Sequence, residues 1–548
     1  MIEDSNIDDS KLKNYLEPQN DEEEEEPIEK MIINKKRENF QVQIRNSKKK
    51  QILQNNRVKM YQKYVKEIIH ENGEQSQSIK SMIPEHILQS PQKLQIYLNQ
   101  FIEDFKKEFE NYNPQDYSAL FKSLNHLRQF SFLQQSASVI TQLIQSNLHN
   151  ILIQLISPDF DSQLRYEAAW LLTNCLAASN CEDLDFITRN NYVNILEAFA
   201  SLYQLWDNEK LFEIGIWGLT NLCVDIKEAA ELFYQKYGFE KIEEKFITYQ
   251  NNIDIQENLS WMMTVFSQYN KIFTKADKMT FLKLAEKQVM QNTNSSIQHY
   301  GIRIIYQLTI DDDCCQAIVK REKLIDFLLQ LTHNSQYISY VIGIMGNIIA
   351  CQYEVSQILM NHNILEYLSI ALDNVRVDVR KESMWCIANL LTGSEEEIQQ
   401  ILDYNRLIEK VFRIARIDTI QVIYEVCMGL VNCLVKANNF QIMKLVQMGI
   451  LEIFVSFFMI QDVNIVTKTL QGVGFLLDYG QNIKQSDQEN PIKSNLQQLG
   501  FNQILSSLQC HPHDIVYDLS TEILNEHYSS DIKNQQLTNN NQMEECEI

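Results

Sequence analysis

A chain of 548 residues that is 45 % hydrophobic can bury a large core, and its 14 Gly and 8 Pro are few for that length. So little turn chemistry argues against a strand-rich architecture and for many helices joined by short connections. A formal charge of −23 argues against a surface that binds nucleic acid or anionic membrane throughout, and it favours basic partners.

The N-terminal 31 residues hold twelve acidic and three basic side chains, including DEEEEE at 21–26. They read as an acidic disordered leader, and without an apolar h-region they do not read as a signal peptide. Residues 32–60 reverse the sign. KKRENFQVQIRNSKKKQILQNNRVK (35–59) has nine Lys and Arg against one Glu, with Phe40, Ile44, Ile52 and Leu53 at roughly helical spacing. Such a segment has too little apolar surface to fold alone and would order on an acidic partner. A polar linker (61–90) leads into a long helical region (91–530), and a polar, acidic tail (531–548) follows it.

No run of eighteen uninterrupted apolar residues marks a membrane span. The 11 Cys lie scattered in apolar segments, with no CxxC pair and no zinc spacing. They read as reduced thiols packed in a core, which points to a cytosolic or nuclear compartment. Neither a Gly-rich phosphate loop nor a nucleophile elbow is present, so the expectation is no catalysis, no cofactor and no metal.

Within 91–530 one pattern repeats. RYEAAWLLTNC (165–175), GIWGLTNLC (215–223) and MWCIANLL (384–391) each place an Asn four residues after a Trp, on one helix face. Aligned positions are Asn174, Asn221, Val265, Gln307, Asn347, Asn389, Asn432 and Gly474, with spacings of 40 to 47 residues. That is the period of armadillo or HEAT repeats. The expected fold is all-α, a right-handed superhelical solenoid of about ten armadillo repeats with a disordered basic N-terminal segment. In a solenoid the equivalent helix of each repeat lines one groove. A buried Asn without a partner costs roughly 1–3 kcal/mol, so a ladder of them implies a ligand. Its amides suit the peptide bonds of an extended chain, and indoles beside them suit the stems of Lys or Arg. Trp206, the one Trp off the ladder, reads as packing.

These residues resemble the importin-α family, adaptors that carry proteins bearing a nuclear localisation signal. The likeness rests on YEAAWLLTNC, GIWGLTNLCVD, VRKESMWCIANLLTG and EEIQQILDYN for the groove helices. NPIKSNLQQLGFNQILSSLQCHPHDIVYDLSTEILNEHY is similar to the last repeat, and KKRENFQVQIRNSKKKQIL to the importin-β-binding segment. The resemblance implies a major cargo site at Trp170, Asn174, Trp217, Asn221, Asp225, Asn258 and Trp261, with Asp225 receiving the critical signal lysine. It implies a minor site at Asn347, Glu382, Trp385, Asn389, Glu425 and Asn432. Lys35, Lys36, Arg37, Arg45, Lys48, Lys49, Lys50 and Arg57 would bind importin-β. An export receptor would recycle the chain, which would shuttle between cytoplasm and nucleus without binding nucleic acid or membrane.

Departures from the family pattern are specific. Val265 replaces an Asn, Arg303 and Gln307 stand for Trp and Tyr, Tyr300 for an acid, and Met428 for a minor-site Trp. Ala178 and Asp183 replace a Gly and a Thr. Asn55, Asn56 and Arg57 replace a basic triplet with which the family occupies its own groove, so weak self-inhibition is expected. The other reading of the same repeats is an armadillo scaffold at a cytoskeletal or ciliary structure, which would have no need of the basic segment.

Overall fold

The computed structural model describes residues 87 and 90–528, apart from 132–135, 179–180, 190, 240, 352 and 485–488. The importin-β-binding positions Lys35, Lys36, Arg37, Arg45, Lys48, Lys49, Lys50 and Arg57 lie outside the described residues, as do the side chains of Ala178 and Asp183. Every regular element among the described residues is helical.

The chain forms two compact units that meet in sequence at Leu308 and Thr309. In the first, a helix pair α1 (Pro91–Glu110) and α2 (Ser118–Phe130) precedes triplets of two short helices and one longer one. These are α3 (Ser136–Gln145), α4 (Leu148–Leu155) and α5 (Ser162–Ala178); then α6 (Cys181–Thr188), α7 (Tyr192–Tyr203) and α8 (Glu209–Asp225); then α9 (Lys227–Tyr237), α10 (Ile242–Thr248) and α11 (Ile253–Phe266). A 3₁₀ turn and one long helix, α12 (Lys275–Gln291), then lead to α13 (Ser295–Leu308).

The second unit repeats the triplet: α14 (Asp312–Val319), α15 (Glu322–Gln330), α16 (Ile338–Ile349); α17 (Tyr353–Asn361), α18 (Ile364–Ala371), α19 (Val377–Leu390). It continues with α20 (Glu395–Asp403), α21 (Leu407–Ile417), α22 (Ile420–Lys436); α23 (Asn439–Met448), α24 (Ile450–Phe457), α25 (Val463–Ile483); and α26 (Pro491–Gln498), α27 (Phe501–Leu508), α28 (Asp514–Ile523). Two short helices followed by a longer one is the three-helix armadillo repeat.

Local chemistry sets these boundaries. The longer helix often starts on a polar cap: Asn208, Asn252 and Asp462 accept backbone N–H groups of α8, α11 and α25. Ser394 with Glu397 and Asn438 with Gln441 form reciprocal capping boxes for α20 and α23. The turn between the two short helices is left-handed, with positive φ at Asn147, Asn363, Arg406, Gly449 and Gly500. Asn and Gly tolerate that conformation, whereas Arg406 does not gain from it. At Gly449 it bends the apolar pair α23 and α24 by 68°, and no single described helix is long and apolar enough to cross a membrane.

The third helices stack in series: α2, α5, α8, α11 and α13 in the first unit, α16, α19, α22, α25 and α28 in the second. Close approach between helices requires glycine, as two contacts show. A Cβ on Gly218 of α8 would lie 1.9 Å from the Phe199 ring of α7, and one on Gly346 of α16 would lie 2.3 Å from the Trp385 indole of α19. Core apolar side chains fill the space between layers, including edge-on contacts of Phe239 with Phe266, Phe273 and Phe281 at 4.9 to 5.5 Å. Cys175, Cys223, Cys314, Cys315, Cys386, Cys427 and Cys433 are buried. Burial pushes the thiols of Cys427 and Cys433 up to about 12, so they serve as small apolar residues.

Candidate peptide-binding face

The third helices bring the Trp and Asn positions of each unit onto successive turns of a stack. In the first unit α5 carries Trp170 and Asn174, α8 carries Trp217, Asn221 and Asp225, and α11 carries Asn258, Trp261 and Val265. All of them except the half-buried Asp225 are buried.

Much of the ladder is paired with itself, which corrects the expectation that a buried Asn here needs an external ligand for its whole amide. Asn174 donates through Nδ2 to Ser131 Oγ at 2.8 Å. Asn221 donates to the Thr173 carbonyl at 3.4 Å. Trp217 donates its indole N–H to Asn258 Oδ1, and Asn258 in turn donates to Glu213 at 3.2 Å. Each of these bonds spans one repeat, so the ladder holds neighbouring repeats in register. What stays open is the acceptor half: Oδ1 of Asn174 and Oδ1 of Asn221 are buried without a hydrogen-bond partner among the described residues. A buried amide oxygen left unpaired costs free energy, and here it recurs one repeat apart.

The slot beside Trp170 is not empty. Arg128 of α2 lies with Cζ 4.0 Å from the indole centroid, and it is itself buried and paired with Glu167 through Nε and, at 3.3 Å, Nη2. The first indole thus already carries a cation supplied by the chain. Sequence reasoning missed this residue, although Arg128 stands 42 positions before Trp170, within the repeat period.

Electrostatics at the ends of these helices favour a basic ligand. A helix C-terminus carries partial negative charge that Lys or Arg in the last turn usually offsets. No basic residue occupies the last turn of α5, α8, α11 or α13 in the first unit, or of α16 and α19 in the second. Asp225 is the final residue of α8 and adds a carboxyl group to such an end.

The departing repeat is built for packing. Gln307 of α13 accepts from Ser267 Oγ, and its carbonyl accepts from Asn270 Nδ2 at 2.6 Å. Tyr300 is buried, and burial and then Glu257 push its hydroxyl well above the ordinary tyrosine range.

In the second unit Asn347 donates to Thr309 Oγ1 at 3.0 Å, again across one repeat. Trp385 lies against Gly346. Asn389 shows the opposite deficit from Asn174: its Nδ2 is buried without a hydrogen-bond partner. Asn432 is half-buried on α22. Glu382 and Glu425 are both buried, and after burial itself they contribute to raising the Cys386 thiol. Met428 occupies the minor-site Trp position and is 9 % exposed, so a thioether fills that slot.

No family model matches the chain. It is similar to importin subunit alpha-1a of Oryza sativa subsp. japonica, with 20 % identity over 269 residues, 48 % of this chain and 49 % of the rice protein. The match therefore spans about half the length of that relative. Among solved structures, an engineered protein from a structural-genomics programme superposes with a TM-score of 0.64 at 16 % identity, over 78 % of this chain and 99 % of that one. A designed armadillo repeat protein in complex with the peptide (KR)4 gives a TM-score of 0.40 at 21 % identity, over 44 % of this chain and 98 % of that one. The three-helix repeats and their serial stacking give this chain the armadillo-repeat fold.

Proposed function

We propose that this chain is a nuclear import adaptor that binds basic localisation signals along its third helices and binds importin-β through residues 32–60. The observation that carries the reading is the recurrence of Trp and Asn, four residues apart, on stacked third helices, with the Oδ1 atoms of Asn174 and Asn221 unpaired. An extended peptide supplies N–H groups to such acceptors, and its basic side chains meet Asp225 and helix ends that have no basic residue in their last turn. Trp217, Asn221, Asp225, Asn258 and Trp261 form the main cargo-binding stretch. Trp170 and Asn174 extend it, with Arg128 already on the indole. Asn347, Glu382, Trp385, Asn389, Glu425 and Asn432 form the minor stretch. The similarity to a rice importin-α subunit supports this assignment.

The export receptor that recycles the chain, and its shuttling between cytoplasm and nucleus, belong to the same proposal. The basic segment separates an adaptor from an armadillo scaffold without a transport role. In the full chain, changing Lys48, Lys49 and Lys50 to Glu is expected to abolish co-elution with importin-β while leaving thermal unfolding unchanged. Co-elution that survives the triple change would remove the adaptor reading.

A further inference from the structure

Outside the ladder, one lysine is held in an unusual way. Lys245 of α10 is 5 % exposed. Its Nζ lies 3.5 Å from the ring centroid of Tyr203 at the end of α7, 4.7 Å from that of Trp206 in the following loop, and 6.0 Å from that of Phe212 in α8. Phe212 stacks on Tyr203 at 5.7 Å and on Tyr249 at 5.0 Å, and the Tyr249 hydroxyl donates to the Trp206 carbonyl. The walls are therefore fixed by their own contacts. Lys241, in the turn before α10, lies over the Trp206 ring at 5.3 Å.

An ammonium carries three N–H donors and is strongly hydrated. At Lys245 no carboxylate or carbonyl among the described residues accepts a hydrogen bond from any of them, and three ring faces lie within 6.0 Å of the nitrogen. Burial, and secondarily the charge of Lys241, bring its pKa down to about 7, with Glu244 opposing. Rings without acceptors match a different cation: each methyl on nitrogen removes a donor that no protein group accepts, weakens hydration, and adds carbon against an aromatic face. Aromatic cages recognise methylated ammonium groups for this reason.

We propose that Lys245 is a site of Nε-methylation, its methylated ammonium seated among Tyr203, Trp206 and Phe212. The methyl donor is a sulfonium compound. The ammonium first releases a proton to solvent; the neutral amine's lone pair then attacks the methyl carbon, and the carbon–sulfur bond breaks with its electrons left on sulfur as a thioether, so the nitrogen ends as a methylated ammonium. Because so little of Lys245 is exposed, transfer takes place before the repeat closes or during local opening.

The test has two arms. Peptide mass spectrometry of the full chain purified from its native cells is expected to show one to three methyl groups on Lys245; an unmodified Lys245 in that material would overturn the proposal. In the second arm, unmethylated full chain and its Lys245→Met variant are reductively dimethylated in urea with formaldehyde and dimethylamine–borane, then refolded. Relative to its own untreated form, the chain with Lys245 is expected to unfold on the order of 2 °C higher than the identically treated variant. Introducing Trp206→Leu is expected to cancel that gain. A lower unfolding temperature, or failure of only the Lys245 chain to refold, would contradict a cage built for the methylated group.

Discussion

Trp217 of α8 donates its indole N–H to Oδ1 of Asn258 on α11, one repeat further along. This one bond joins two positions that sequence alone assigns separately to a ligand. Asn258→Leu leaves that N–H buried and unpaired, so a loss of roughly 1–3 kcal/mol in urea unfolding is expected. In a Trp217→Phe background, which lacks the N–H, the same change is expected to cost measurably less. Equal costs in both backgrounds would show that the bond does not hold the repeats together.

Arg128 lies over the Trp170 indole, beside which the proposed peptide would place a cation. Removing it alone would strand the buried Glu167, so the informative variant is Arg128→Met with Glu167→Gln. A lysine-rich signal peptide is expected to bind that variant about threefold or more tighter, the gain a vacated cation–π slot allows. Unchanged affinity, read by anisotropy, would place the peptide wholly on Trp217 and Trp261.

Lys245 sets a pH dependence of stability. Its amine titrates near 10.5 in the unfolded chain and near 7 in the folded one. Between those values the unfolded state binds the extra proton, so stability rises with pH. The contribution is fully present above 10.5, declines as pH falls, and is gone below about 7. The slope from this group is at most about 1.4 kcal/mol per pH unit. Urea midpoints measured from pH 7 to 10 should therefore climb more steeply for the unmethylated wild type than for Lys245→Met. Parallel curves would mean that Lys245 titrates as an ordinary surface lysine.

Arg406 sits at φ 59° in the turn before α21, where equivalent turns use Gly449 and Gly500. Relieving a left-handed side chain outweighs the added chain entropy of Gly and the exposed pair with Glu409. Arg406→Gly is expected to raise stability by about 0.5–1 kcal/mol. A lower melting temperature would show that the Arg406 side chain matters more than its backbone strain.

Asn55 and Asn56 replace two of three cations that would let the N-terminal segment occupy the groove. A tether supplies an effective concentration on the order of millimolar, which weak contacts cannot exploit. Removing residues 1–60 is therefore expected to improve signal-peptide affinity by less than about tenfold, ~1.4 kcal/mol. A larger gain would show that other basic residues of the segment inhibit the groove.

The fold was legible because the repeats write their register twice, in apolar residues at helical spacing and in Trp or Asn positions that return every forty-odd residues. Asn174, Asn221 and Asn347 fall on third helices because that period carries them there. What the Asn groups do was less legible. Their donors turn to Ser131, Thr173 and Thr309 of the preceding repeat, contacts between residues 38 to 48 apart that no local pattern reveals. The Lys245 cage was invisible for the same reason. Trp206 reads as packing, and only the fold lays Lys245 across that indole.

Fluorescence anisotropy of a lysine-rich signal peptide, with wild type and Asp225→Lys compared at moderate salt, tests the central claim most directly. Micromolar or tighter binding to wild type is expected, falling by about tenfold or more, ~1.4 kcal/mol, when the acid at the end of α8 becomes a cation. Binding that is absent in wild type, or unchanged by Asp225→Lys, would contradict a basic-peptide site on these third helices.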